Sequence, residues 1–127
     1  GRLRIALDLH CPHIRGDRNE NIYFVGKKEE HIWRESQQLA AILESLPPKG
    51  LPYNTKNNLP FGKEWNTEAN LKGGRAMAGW ACEIPGIKAA ATIEIPYANA
   101  SGSEVSPDSA RAFGRDLAQA IRRYLSH

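Results

Sequence analysis

The spacing of apolar residues changes period several times along the chain, and each change predicts an element. From Arg4 to His10, Ile5, Leu7 and Leu9 share one face while Ala6, Asp8 and His10 share the other, the period-two pattern of a strand. Apolar or small residues on both faces as far as Asp8 predict a buried strand, covered on both sides, and Pro12 ends it. Ile22-Tyr23-Phe24-Val25, β-branched and aromatic, predicts a short second strand closed by Gly26. Between Lys27 and Leu46 the period lengthens. Ile32, Leu39, Leu43 and Leu46 fall on one helical face, with Trp33, Ser36 and Ala40 beside it. Glu29 and Glu30 suit the positive end of the helix dipole, and Pro47-Pro48 stops the helix.

Residues 47–71 lose this periodicity and are rich in Pro, Gly and Asn. A connection this long inside a domain is usually functional or mobile, and Tyr53, Phe61 and Trp65 are expected to pin it to the body. Gly73-Gly74 opens a short predicted helix from Arg75 to Cys82, with Met77, Trp80 and Ala81 on its buried side. Ile87 to Ile95 predicts the second strong strand, closed by Pro96. Ser106-Pro107-Asp108 is a helix start: an N-cap serine, a proline at the first helical position, then an acid. That helix is expected to run to about Leu125, with Phe113, Leu117, Ile121 and Tyr124 along one stripe. Together these elements predict a single α/β domain over residues 1–127, with a mixed, mostly parallel sheet flanked by helices.

Composition narrows the classes. A length of 127 residues, 41% hydrophobic and 24% charged, allows one domain with a real core and argues against disorder. The net charge of +3 is spread among interleaved acids. Only Arg111, Arg115, Arg122 and Arg123 on the last helix gather, and they read as a solvated face, so nucleic acid is not an expected partner. No run approaches the roughly 20 apolar residues of a membrane span, so no membrane is expected either. Cys11 and Cys82 form no C-x-x-C pair and no disulfide framework, which leaves the compartment open.

The chemistry-bearing residues gather at strand ends. His10 ends the first strand beside Asp8, with Cys11 and His13 in the following turn. Neutral imidazole is the commonest metal ligand, and Asp8 could orient such a ring; a histidine at a strand end is also an ordinary polar edge residue. Pro12 and the strand direction work against His10, Cys11 and His13 converging on one ion. Glu94 is the only acid in its strand, close to the C-terminal end. A carboxylate there carries a desolvation cost that raises its pKa and suits a general base, unless it simply reaches solvent at the edge. If the two strands are parallel neighbours, His10 and Glu94 reach one rim, and a metal ligand beside a free carboxylate implies metal-assisted hydrolysis.

Asp8-Leu9-His10, Asn21 to Gly26, Gly73-Gly74-Arg75-Ala76-Met77-Ala78-Gly79-Trp80, Gly86-Ile87-Lys88 and Thr92-Ile93-Glu94, in this order and spacing, resemble the zinc carboxypeptidases of the carboxypeptidase A type. The cytosolic carboxypeptidase branch is the most similar, and the resemblance covers nearly the whole chain. It implies that His10 is the third zinc ligand and Glu94 the base that activates water and passes its proton to the leaving amine. It implies Arg75 and Ala76 as substrate-binding positions and peptide or protein C-termini as substrates. The family's other two zinc ligands lie in a His-x-x-Glu motif, which these residues lack. The chain is therefore expected to be the C-terminal part of a zinc carboxypeptidase-like catalytic domain, partnered by the upstream half of that domain and inactive by itself. The alternative expectation is a non-catalytic, carboxypeptidase-like peptide-binding module.

Overall fold

The structure, a computed structural model, describes residues 2–127; Gly1, the first residue of the expected domain, lies outside the described residues. In chain order the elements are β1 (Ile5–His10), β2 (Tyr23–Val25), α1 (Glu30–Ser45), a 3-10 turn (Thr55–Asn57), α2 (Glu68–Leu71), α3 (Met77–Ala81), β3 (Ala89–Glu94), β4 (Asn99–Ala100), β5 (Ser103–Glu104) and α4 (Pro107–Leu125). The fold is α/β. A small mixed sheet of three strands in the order β1-β3-β2 is packed by helices, and β4 and β5 form a separate two-stranded sheet. β1 runs parallel to β3 and β2 runs antiparallel to it. The expected sheet was mostly parallel; here the parallel pairing is one of two, because β2 arrives through a loop that reverses the chain.

Alternation along β3 sorts its side chains onto two faces. Ala89, Ala91 and Ile93 meet Leu39, Ala40 and Leu43 of α1 and Phe113, Leu117, Ala120 and Tyr124 of α4 in the main core, with Ile5 and Leu7 of β1 at its margin. Ala90 turns to the other face, where it meets Ile32, Ala81, Ala6, Cys82 and Ile87. The small residues of β3 allow this close packing on both sides, and all six of its residues are buried. Beyond the end of β2, the buried Ser36 Oγ donates to the Ala90 carbonyl at 3.3 Å and satisfies a backbone acceptor that no strand reaches.

β1 departs from the expectation of a strand buried on both sides. Its first four residues are half-buried and Leu9 and His10 are exposed. It is an edge strand, paired to β3 alone. The short helix differs as well: Ala78 and Ala81 are its buried residues, while Met77 and Trp80 point outward. Small side chains let this helix approach the sheet closely, which leaves no room beneath it for the indole.

Of the three aromatics expected to pin the long connection, Tyr53 does so, packed against the main core, and further residues hold it as well. Leu51 and Leu59 are buried, and Asp116 of α4 accepts from the backbone N–H of Lys49 (3.0 Å) and Gly50 (3.2 Å). The chain passes so close to α4 that a Cβ on Gly50 would lie 2.2 Å from the Phe113 nitrogen. Tyr53 does pack, with its ring 5.6 Å from that of Phe24, whereas Trp65 is 40% exposed. Ser106 and Ser109 cap α4 reciprocally, each side chain accepting from the other's backbone N–H at 3.1 and 2.8 Å. Glu29 caps α1 without a side-chain bond, and that helix begins three residues later than its apolar pattern predicts. Glu35 accepts from Tyr124 Oη, which ties α1 to α4. No described helix is long and apolar enough to cross a membrane.

Candidate functional site at the strand ends

The registers of the two pairings converge on one residue. Glu94 stands opposite His10 on β1 and opposite Tyr23 on β2, so these three side chains form a row across the end of the sheet. The row lines a cleft of about 1050 Å³, with His13, Arg18, Trp65 and Tyr97 among its other walls. Within it His10 bridges two carboxylates. Its Nδ1 lies 3.2 Å from Asp8 Oδ2, and its Nε2 lies 3.1 Å from Glu94 Oε1. Asp8 holds the ring so that Nε2 faces Glu94 and the cleft.

Glu94 is 4% exposed, and its Oε2 is buried without a hydrogen-bond partner. Burial pushes its pKa above the ordinary carboxylate value, and the adjoining His10 opposes that rise. Tyr23 is pushed up to about 12 by burial, and further by the Glu94 charge beside it. Lys27, at the exit of β2, is held below the ordinary lysine value by burial, against the pull of nearby negative charges that include Asp8 and Glu94. Glu94 and Tyr23, both buried, therefore line the cleft as ionisable groups kept from water, while Lys27 lies outside its lining.

One wall is fixed by Arg18. Its guanidinium takes both oxygens of Glu64, the NH2 bond measuring 3.1 Å, donates from NH1 to the Asn57 carbonyl at 2.7 Å, and lies 5.4 Å from the centre of the Tyr23 ring. Arg18, Tyr23, Trp65 and Tyr97 were not singled out from the sequence as site residues. Tyr23 carried one usable signal, its place in a strand that closes beside Glu94, but only the observed register turns that into proximity.

Of the residues expected at the site, His10 and Glu94 meet. Arg75 and Ala76 do not line the cleft. Arg75 is exposed and pairs with Glu83, and Ala76 is the N-cap of α3. Cys11 and His13 reach the cleft wall, and both cysteines are free thiols. A catalytic zinc needs three protein donors and an open position. Among the described residues no group of three or more His, Cys, Asp or Glu side chains is arranged to hold a metal. His10 Nε2, the ring atom able to act as a donor, faces the buried Glu94 carboxylate. No family model, curated protein or solved structure matches this chain.

Proposed function

We propose that the chain carries the base and one metal ligand of a zinc-dependent carboxypeptidase acting on peptide or protein C-termini, and that the upstream half of the same catalytic domain supplies the remaining zinc donors. The observation that supports this reading is the buried, unpartnered Oε2 of Glu94 at the cleft, beside an imidazole whose other nitrogen is already held by Asp8. A desolvated carboxylate with a raised pKa is a competent acceptor for a water proton, and once protonated it is a competent donor to a leaving amine. Asp8 sets the ring orientation of His10. Tyr23 stands at the far end of the row, with the Arg18 guanidinium 5.4 Å from its ring centre. Zinc at such a centre contributes Lewis acidity.

Two measurements test the reading. In the assembled enzyme, Glu94→Gln lowers kcat for an N-acylated dipeptide by about 100-fold or more and leaves the bound zinc unchanged. Turnover retained by that variant removes Glu94 from the base role. For these residues alone, a zinc titration followed by NMR shifts the His10 ring resonances first and binds weakly; a response confined to His13, His31 or the cysteines removes His10 from the ligand role.

A second reading, a non-catalytic peptide-binding module, is supported by the engagement of both His10 nitrogens with carboxylates. It predicts that the assembled protein binds peptides with a free C-terminus and lacks stoichiometric zinc.

A further inference from the structure

Large apolar side chains in water are ordinary one at a time; several on the walls of one cleft mark a place where something binds. Three line the cleft beside Glu94: Trp65, Tyr97 (57% exposed) and Ile14 (72% exposed). The fold fixes two of them by separate means. Trp65 sits in a tight turn, where Gly62 N–H donates to the Asn66 carbonyl at 2.7 Å and Asn66 N–H donates to the Lys63 carbonyl at 2.9 Å. The buried Asn66 side chain ties that turn to the carbonyls of Gly26 and Leu59, at 2.9 and 3.3 Å. Glu64, next to Trp65, takes a left-handed φ of 47°, which a residue with a side chain rarely adopts, and it pairs with Arg18. An indole tied this firmly is held out of the core by the turn that carries it. Tyr97 follows the buried Pro96, which fixes the chain as it leaves β3, so the phenol stands three residues after Glu94.

Charge decides what such a wall can take. The Arg18 guanidinium is engaged by both oxygens of Glu64 and by the Asn57 carbonyl, so neither charge is free for a ligand. Arg15 and Asp17, also on the lining, are exposed and opposite in sign. A charged side chain laid against the indole would lose water and gain no partner, whereas an apolar one would leave water at no such cost. A free C-terminal carboxylate meets the same obstacle, because it needs a cation that is not already taken. The wall therefore suits the part of a peptide on the N-terminal side of the bond to be cut. We propose that Trp65 and Tyr97 are the specificity-determining wall of the cleft, and that they receive an aromatic or large aliphatic side chain on the residue preceding the C-terminal one. This rests on the peptide reading of the site and gives a role to two residues that the reading leaves unused.

The chain's three tryptophans, Trp33, Trp65 and Trp80, supply the test. Trp33 packs against the main core, and Trp80 is exposed but lies off the cleft. The probes are N-acetylated tripeptides with free C-termini: Ala-Phe-Ala, Ala-Ala-Phe and Ala-Glu-Ala. NMR of the indole N–H groups locates each on the chain, and calorimetry gives its affinity. The Ala-Phe-Ala peptide is expected to shift Trp65 saturably, leave Trp33 and Trp80 in place, and bind about tenfold more tightly than the other two. Trp65→Ala and Tyr97→Ala should each weaken it about tenfold with the urea midpoint unmoved, and Trp65→Phe should restore most of the affinity. The proposal is overturned by an absence of saturable binding, by an equal response at Trp80, by equal or tighter binding of either control peptide, or by variants that bind as the wild type does. Binding is read without turnover, so these outcomes leave the Glu94→Gln assay to be judged separately, and loss of the base role leaves the wall standing.

Discussion

Beyond β2, Leu59 bridges to Val25 and exchanges backbone hydrogen bonds with the strand, accepting from Gly26 N–H at 2.8 Å and donating to the Phe24 carbonyl at 2.9 Å. Asn58 Oδ1 takes the Phe24 N–H at 3.0 Å, and Asn66 donates to the Gly26 carbonyl at 2.9 Å. Beyond β1 no such cover exists among the described residues, and Leu9 is half in water. The two edges belong to one sheet of three strands. One has been closed by a loop that spends its asparagines on backbone groups; the other presents a bare row of donors and acceptors. The difference separates what the fold completes internally from what it offers outward, and the candidate site runs across the strand ends from one edge to the other.

Of the two edges, the closed one has the larger expected effect when broken. Leu59→Ala removes a side chain that is 1% exposed and wedged beside Tyr23 and Val25. Unfolding in urea is expected to show a loss of about 2–4 kcal/mol, the range for truncating a buried leucine. A loss under about 1 kcal/mol would mean that the loop only rests against β2. Ser36→Ala is the next step down, because β3 depends on that hydroxyl where β2 has ended. A buried carbonyl left without its donor costs about 1–3 kcal/mol, readable in the same urea midpoint.

Much of this comparison was legible in the sequence and part was not, for a definite reason. Apolar periodicity reports which face of a strand is covered, so Ile5 and Leu7 were correctly grouped apart from Ala6 and Asp8. It does not report what lies along the hydrogen-bonding direction, so the strand expected from Arg4 to His10, covered on both sides as far as Asp8, is an edge. Residues 47–71 hid their role for the same reason. Asn58, Leu59 and Asn66 act through backbone pairing and single side-chain bonds, which leave no repeat to read. Ser106 was legible because a cap is a local event: its partner is three residues away. Arg75 marks the opposite case, since a position inferred from resemblance pairs with Glu83 and lies outside the cleft lining.

Glu94 carries a smaller effect of opposite sign. Its Oε2 is buried without a partner, so a neutral side chain of the same shape should fold more easily. Glu94→Gln is expected to gain about 1 kcal/mol at neutral pH. The pH dependence fixes the cause. Because burial raises this pKa above its ordinary 4.5, the protonated form is favoured by folding. The wild-type chain therefore keeps this contribution below that value and loses it as pH rises through the folded pKa. The stability gap between variant and wild type should open with rising pH and close near pH 4. A gap that widens on acidification would show that the His10 contact, and not desolvation, governs the residue.

The smallest effect belongs to the open edge. Leu9 lies next to His10 and opposite Ile93, yet 52% of its surface is in water. Its side chain gives little to the isolated fold, so Leu9→Ala at the lowest workable concentration should move stability by no more than about 0.5 kcal/mol. Ile93, its partner in register, is fully buried, and Ile93→Ala in the same assay should cost about 2–5 kcal/mol. The ratio of these two losses measures how far β1 differs from the strand beside it. Equal losses at low concentration would mean that the β1 edge is already covered from within the chain, and the contrast between the two edges would fall with it.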